Sequence, residues 1–320
     1  MTGSLTITIQ TPAQALIRGG NRVTAERWRA VLEGLGHQVN VTTAYEGAPA
    51  DILIAIHAWR SANPVARFAE QYPGRPIIVC LSGTDIYAYQ HSDTATTHST
   101  MNRATALIGL HDLAANAIPE RFRSKVRVIY QSVPSLIRRA PTPDVFDICV
   151  IGHLRAEKDP FRAALASRLL PSSSQLRITH LGGALDESWA EQARAEMAVN
   201  PRYRWLGEVC AETVRNTLAT THLMVLSSLM EGGANVLGEA IAAHVPVIVS
   251  AISGSIGLLG ADYPAAYPVG DTNALAELLL RAEDDPAFLE MLTKLCAVRA
   301  PLFAPERERA SWAKLIADVS

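Results

Sequence analysis

Cysteine is scarce in this chain. Its four residues, Cys80, Cys149, Cys210 and Cys296, lie far apart with no C-x-x-C spacing. That excludes a dense disulfide framework and a cysteine-based zinc site. Cys80, Cys149 and Cys296 sit in apolar runs, as buried free thiols in a reducing compartment do. Charge of one sign is equally lacking: 29 Lys and Arg face 31 Asp and Glu, for a formal net charge of −2. No broad basic surface is available for nucleic acid or anionic lipid, and neither is expected as a partner. Long hydrophobic runs are missing too, so no segment approaches the ~20 apolar residues that span a bilayer. The chain runs almost directly into a strand-like segment without a charged leader, and a cytoplasmic location is expected. Low-complexity tracts and solenoid-period repeats are also missing.

What is present is an alternation. Of the 320 residues 48% are apolar, enough for two cores of ordinary size. Short β-branched runs at 5–9, 38–43, 51–56, 76–81, 105–109 and 126–130 read as strands, separated by helical patterns such as 22–34 and 63–71. Continuous apolar strands alternating with helices predict parallel sheets covered on both faces. The rhythm breaks at 133–143, where Pro134, Pro141 and Pro143 stand among polar and basic residues. A second series follows at 146–151, 176–181, 203–206, 222–226, 246–249 and 265–268. Helices at 286–299 and 305–319 close the chain. The expected architecture is α/β, with two doubly wound Rossmann-like domains facing across a cleft. The first is 1–140 and the second 141–300, with a final helix in 301–320 packing back on the first. In such sheets ligands bind beyond the carboxyl ends of the strands, so functional residues are expected just after strands.

The most informative segment is Ser227-Ser228-Leu229-Met230-Glu231-Gly232-Gly233-Ala234-Asn235-Val236-Leu237-Gly238-Glu239. A strand runs into a polar turn and a glycine pair, then into a helix starting near Ala234 or Asn235. Glycines allow close backbone approach, and the first helical turn offers unpaired N–H groups and the positive dipole end, so a diphosphate fits. Glu239 lies one turn beyond Asn235 on the same face, where it can accept from a ribose diol. Glu231 precedes the helix and can reach sugar hydroxyls. The strand 146–151 is followed by Gly152-His153-Leu154-Arg155-Ala156-Glu157-Lys158. Alone, such a pair of surface cations is usually solvated; beside the glutamate loop, Arg155 and Lys158 can converge on one phosphate pair and stabilise a departing diphosphate without a metal. No D-x-D element follows a strand, so no metal cofactor is expected.

These residues resemble the retaining glycosyltransferases of the two-Rossmann-domain (GT-B) architecture, family GT4. That family's Glu-x7-Glu signature is matched by Glu231 and Glu239. The run Ala240-Ile241-Ala242-Ala243-His244-Val245-Pro246-Val247-Ile248 is similar to the stretch that follows it, with His244 where the family usually has glycine. Leu206-Gly207-Glu208-Val209 resembles the turn that packs on the nucleobase. The resemblance implies that Gly152, Arg155 and Lys158 hold the diphosphate, with the amides of Asn235, Val236 and Leu237 and the glycine Gly233. It assigns Glu239 to the ribose, Glu231 to the donor sugar and Val209 to the base. It implies retention at the anomeric carbon, although a strong nucleophile attacking from the opposite face would invert it.

The first half carries its own signals. Arg18-Gly19-Gly20-Asn21-Arg22 is a glycine turn opening a helix. It can approach the donor diphosphate through Gly20 or cradle an anionic acceptor through Asn21 and Arg22. His57-Ala58-Trp59-Arg60 follows the third strand, which places His57 and Arg60 for acceptor binding or proton handling. Leu81-Ser82-Gly83-Thr84-Asp85 follows the fourth, with Thr84 and Asp85 as acceptor contacts. GT4 relatives place a histidine near Ser82. The stretch 86–104, with His91 and His98 among Ser and Thr, reads as a loop. Gly-Gly-Asn-Arg at 19–22, Ile-His-Ala at 56–58 and Ser-Gly-Thr-Asp at 82–85 resemble a narrower subgroup, the selenosugar synthases (SenB-like proteins) of selenoneine biosynthesis. That resemblance implies transfer of a hexosyl group from a UDP-sugar, with UDP-N-acetylglucosamine the donor it points to, onto selenophosphate. Two other readings stand beside it: a GT4-type transferase to a small alcohol, and a non-catalytic nucleotide-sugar sensor. A lipid-linked acceptor would call for a basic amphipathic helix, and 22–34 mixes Arg22, Arg27 and Arg29 with Glu26 and Glu33.

Overall fold

The computed structural model describes residues 3–12 and 19–320; Arg18 lies outside them. The described residues form two parallel six-stranded sheets. The first contains β1 (Thr6–Gln10), β2 (Gln38–Thr42), β3 (Ile52–Ile56), β4 (Ile77–Cys80), β5 (Ala106–Gly109) and β6 (Val126–Val128) in the order β2-β1-β3-β4-β5-β6. The second contains β7 (Phe146–Ile151), β8 (Leu176–Leu181), β9 (Tyr203–Trp205), β10 (Leu223–Leu226), β11 (Val247–Ser250) and β12 (Ala266–Tyr267) in the order β12-β11-β10-β7-β8-β9. Every strand pair is parallel. Each sequence-predicted strand is present, with ends shifted by a residue or two.

The chain divides into two compact units. Unit 1 runs through Ser132 and adds Glu231–Asn235 and Leu302–Ser320; unit 2 comprises Val133–Met230 and Val236–Pro301. Period-two alternation explains how the first sheet is covered. Ile52, Ile54 and Ile56 of β3 face a cluster with Trp28, Leu32, Trp312 and Ile316. Leu53 and Ala55 face the opposite cluster, with Phe68, Met101 and Phe122. Trp28 of the helix Gly20–Gly34 and Trp312 of the helix Pro305–Val319 meet edge to face, with centroids 4.9 Å apart.

Strand order reverses between β1 and β3 in the first sheet and between β7 and β10 in the second. Such switch points open a crevice at the carboxyl edge, because neighbouring strands send their connections to opposite faces. The stretch 86–104 is not a loop. A π-helical turn, Asp85–Tyr89, leads into the helices Gln90–Ser92 and Thr94–Arg103, the last capped by the Asp93 carboxylate on the Thr96 N–H. The Ser and Thr residues that suggest a loop instead close back-bonds within these helices, such as Thr97 Oγ1 to the Asp93 carbonyl.

Candidate active site

In unit 2 the turns after β7 and β10 are hydrogen-bonded together. The Ser227 hydroxyl donates to the Lys158 and Asp159 carbonyls (3.2 and 2.9 Å), and the Leu229 N–H donates to the Glu157 carbonyl at 2.8 Å. The turn carrying Arg155 and Lys158 is therefore tied to the turn that leads into the Glu-x7-Glu segment. Arg155 is exposed and lies 3.9 Å from Glu157. A Cβ on Gly152 would stand 3.9 Å from Lys158 Cδ, so the lysine stem folds back over this glycine. The next cation, Arg162, is held by Asp159 at 2.7 Å.

Gly152 is pinned from below by a residue that sequence reasoning missed. Buried His180 of β8 donates from Nε2 to the Gly152 carbonyl at 3.1 Å, and its Nδ1 accepts from the Tyr203 hydroxyl at 2.9 Å. The carbonyl can only accept, which fixes the proton on Nε2 and leaves Nδ1 as the acceptor, and burial pushes the imidazole down to about 4. A lone histidine in an apolar strand carries no motif that could have disclosed this. The Gly207 turn joins the same edge: the Gly182 N–H donates to the Gly207 carbonyl, and Trp205 Nε1 to the Gly182 carbonyl, at 2.9 and 2.7 Å. Val209 is half-buried in that turn. The helix Asn235–Ala242 starts at the expected position, with Leu237 fully buried and Val236 and Glu239 half-buried one turn apart.

Glu231, Gly233 and Asn235 belong by sequence to the second series, yet their contacts lie in unit 1. Gly83 has φ +122°, and a Cβ there would stand 2.5 Å from the Gly232 nitrogen. Two backbones cross here with no side chain between them, which only a glycine pair permits. Behind the crossing, Gln131 Nε2 approaches the Gly233 carbonyl at 3.4 Å and Arg27 donates to Asn235 Oδ1 at 2.9 Å. Gly20, the first residue of its helix, faces the Asn235 amide: its absent Cβ would lie 3.7 Å from Nδ2. Asn21 is half-buried beside it, its carbonyl accepting from Thr11 Oγ1 at 3.4 Å.

His57 directly follows β3 with φ +76° and is 2% exposed. Its Nδ1 accepts the Arg60 N–H at 3.1 Å, so Nε2 carries the proton and donates to Thr84 Oγ1 at 2.9 Å. Burial holds its pKa below the ordinary imidazole value against the opposing charge of Asp85. With its lone pair engaged, His57 acts here as a donor rather than as a proton acceptor. Asp85 also departs from the role expected of it. Its two oxygens accept the N–H groups of Ala58, Ser82, Gly83 and Ile86 at 2.8–3.1 Å, and the residue is fully buried. A carboxylate so saturated orders the turn and has little left for an acceptor. Arg22 is ion-paired with Glu26, while Arg60 is exposed. His111 after β5, unmarked in the sequence, repeats the His57 pattern: Nδ1 accepts the Leu113 N–H at 3.2 Å and Nε2 faces the Tyr87 hydroxyl at 3.3 Å.

Among the described residues no three His, Cys, Asp or Glu side chains are grouped to hold a metal, and no helix is long and apolar enough to cross a membrane.

Residues 138–295 match the family model described as Glycosyl transferases group 1. The whole chain is similar to the structure of sucrose-phosphate synthase from Thermosynechococcus elongatus, with a TM-score of 0.81, 16% identity and 98% of each chain covered. It is also similar to Alr3699/HepE from Anabaena, in complexes with UDP and with UDP-glucose, with TM-scores of 0.75 and 0.73. Both are at 15% identity, covering 98% of this chain and 100% of theirs. At such identities the likeness establishes the fold, the GT-B architecture of two Rossmann-like units. No curated protein sequence matches the chain.

Proposed function

We propose that this protein moves a hexosyl group from a UDP-sugar, with UDP-N-acetylglucosamine the favoured donor, to selenophosphate, yielding a selenosugar. The observation that carries the donor half is the hydrogen-bonded pair of turns at the switch point of the second sheet. It holds Arg155 and Lys158 at the end of β7, where an anionic leaving group meets cations. The group 1 match spans these residues, and the Alr3699/HepE structures contain UDP and UDP-glucose. Arg155 and Lys158 neutralise charge on the diphosphate in place of a divalent ion. Glu239 takes the ribose diol and Glu231 the sugar hydroxyls.

An anionic acceptor accords with the first unit. Thr84 already accepts from His57, so its own proton remains to donate, and an oxyanion takes only donors. Arg60 supplies exposed positive charge nearby in sequence. Selenium, a soft nucleophile at neutral pH, needs no strong base, which suits a His57 whose lone pair is engaged. The selenium forms its bond to the anomeric carbon as the carbon–oxygen bond to UDP breaks, its electron pair leaving with the diphosphate. Hydrolysis of the Se–P bond then releases phosphate and leaves the selenol.

The test is UDP release from several UDP-sugars with and without selenophosphate, with the selenium isotope pattern followed in the product. Acceptor-dependent release and a selenium-bearing sugar are expected. Release with alcohols alone would make the protein a GT4-type alcohol transferase, and UDP binding without any turnover would make it a sensor. In the active enzyme, Arg155→Ala should lower turnover at least tenfold, since losing one charge-stabilising donor typically costs about 2.7–4 kcal/mol. Unchanged turnover would show that the diphosphate lies elsewhere.

A further inference from the structure

We infer that Arg27 is a positioning residue for the donor diphosphate, acting through the side-chain amide of Asn235; this rests on the UDP-sugar reading above. Asparagine offers an acceptor oxygen at one end and two N–H donors at the other, and only the donor end suits a phosphate. Arg27 NH2 donates to Asn235 Oδ1 at 2.9 Å, so the oxygen is turned toward the arginine. The Nδ2 end is thereby turned to Gly20, whose absent Cβ would lie 3.7 Å from it. Asn235 is the first residue of the helix Asn235–Ala242, whose opening turn offers unpaired N–H groups and a positive dipole end. The side-chain N–H2 of Asn235 adds two more donors at that helix start.

Arg27 is itself held on several sides. NH2 also donates to Gln131 Oε1, NH1 to the Ser132 carbonyl at 3.2 Å, and Nε lies 3.6 Å from Glu308. Glu308 is 1% exposed and accepts from Trp28 Nε1 and the Ser132 N–H, both at 2.9 Å. Thr24 Oγ1 donates to Gln131 Oε1 at 2.6 Å, leaving the Gln131 amide nitrogen for the Gly233 carbonyl. A buried carboxylate thus anchors a guanidinium whose fork fixes both Asn235 and Gln131. Lysine, with one point charge, cannot make these contacts together.

The experiment is calorimetric titration with UDP of the wild type, Arg27→Met, Asn235→Ala and the double variant. Each single change should weaken UDP roughly tenfold, the equivalent of one charged hydrogen bond. The double variant should be no weaker than either single one, because both remove the same interaction. Arg27→Met leaves Glu308 without its buried countercharge, so Arg27→Met with Glu308→Gln is measured in parallel. It should recover the melting temperature without recovering affinity. Arg27→Lys should likewise melt near wild type and bind UDP weakly. Wild-type affinity in these folded variants, or weakening that multiplies when Asn235→Ala is added, overturns the inference. A wild-type protein that neither binds UDP nor turns over a UDP-sugar removes the functional reading itself, a result distinct from either.

Discussion

His57, His111 and His180 lie at or just beyond the carboxyl ends of strands, and burial holds each of them below the ordinary imidazole pKa. His57 and His111 present Nδ1 to a backbone N–H; His180 presents Nε2 to a carbonyl and Nδ1 to a phenol. Protonation adds a donor where one is already met, and burial removes the water that would solvate the charge. His111 and His180 are both displaced from 6.5 to about 4. Below pH 6.5 the unfolded chain takes up these protons and the folded chain does not, so stability falls as pH falls. The loss is about 1.4 kcal/mol per pH unit for each group until about pH 4. Urea unfolding of unit 2 at pH 7 and pH 5 should show about 2 kcal/mol of this loss absent in His180→Gln. An identical loss in wild type and variant would mean that His180 is charged or exposed. The buried thiols belong to the same physics: burial pushes Cys149 and Cys296 up to about 12, which makes them inert packing groups.

At the scale of elements, two departures from ordinary backbone geometry mean opposite things. His244 follows the helix Asn235–Ala242 with φ +56° and lies exposed, its N–H donating to the Ile241 carbonyl at 3.0 Å. This is a left-handed helix terminus, where glycine costs least. His244→Gly should therefore stabilise the protein by up to about 1 kcal/mol, the left-handed cost less the extra chain entropy of glycine. Differential scanning calorimetry checks it; a lowered melting temperature would show that the imidazole makes a contact worth more than the strain. His57 has a similar φ of +76°, but it is buried and both its nitrogens are engaged. There the strain is retained because the ring orders Thr84 and the Arg60 turn. A glycine in its place would lose both.

On the scale of the whole molecule, unit 1 is assembled from three separate stretches of chain. The last of them, Leu302–Ser320, contributes Trp312 to the centre of the first core and Glu308 to the network beneath Arg27. Trp312→Ala should destabilise unit 1 by about 3–5 kcal/mol, as loss of a fully buried aromatic does. Chemical denaturation should then show an early transition for unit 1 while that of unit 2 is unmoved. A single transition shifted as a whole would mean that the two units unfold together.

By itself the sequence determined the twelve strands found among the described residues, their parallel sense and the turns that carry Gly152–Lys158 and Ser227–Glu239. These follow from local rules: apolar runs of strand length, proline and glycine punctuation, and polar residues placed just after strands. His244 is legible as a turn position, since it stands where the resembled family usually has glycine. Tertiary structure alone decided that Glu231–Asn235 belongs with unit 1, that Asp85 accepts from its own turn, and that Arg27 meets Asn235, Gln131 meets Gly233 and His180 meets Gly152. The physical reason is that hydrogen-bond partners more than a hundred residues apart, such as Gln131 and Gly233, leave no periodicity in the chain. Which end of an amide or imidazole faces outward is set by the neighbours folding supplies, not by the residue's name.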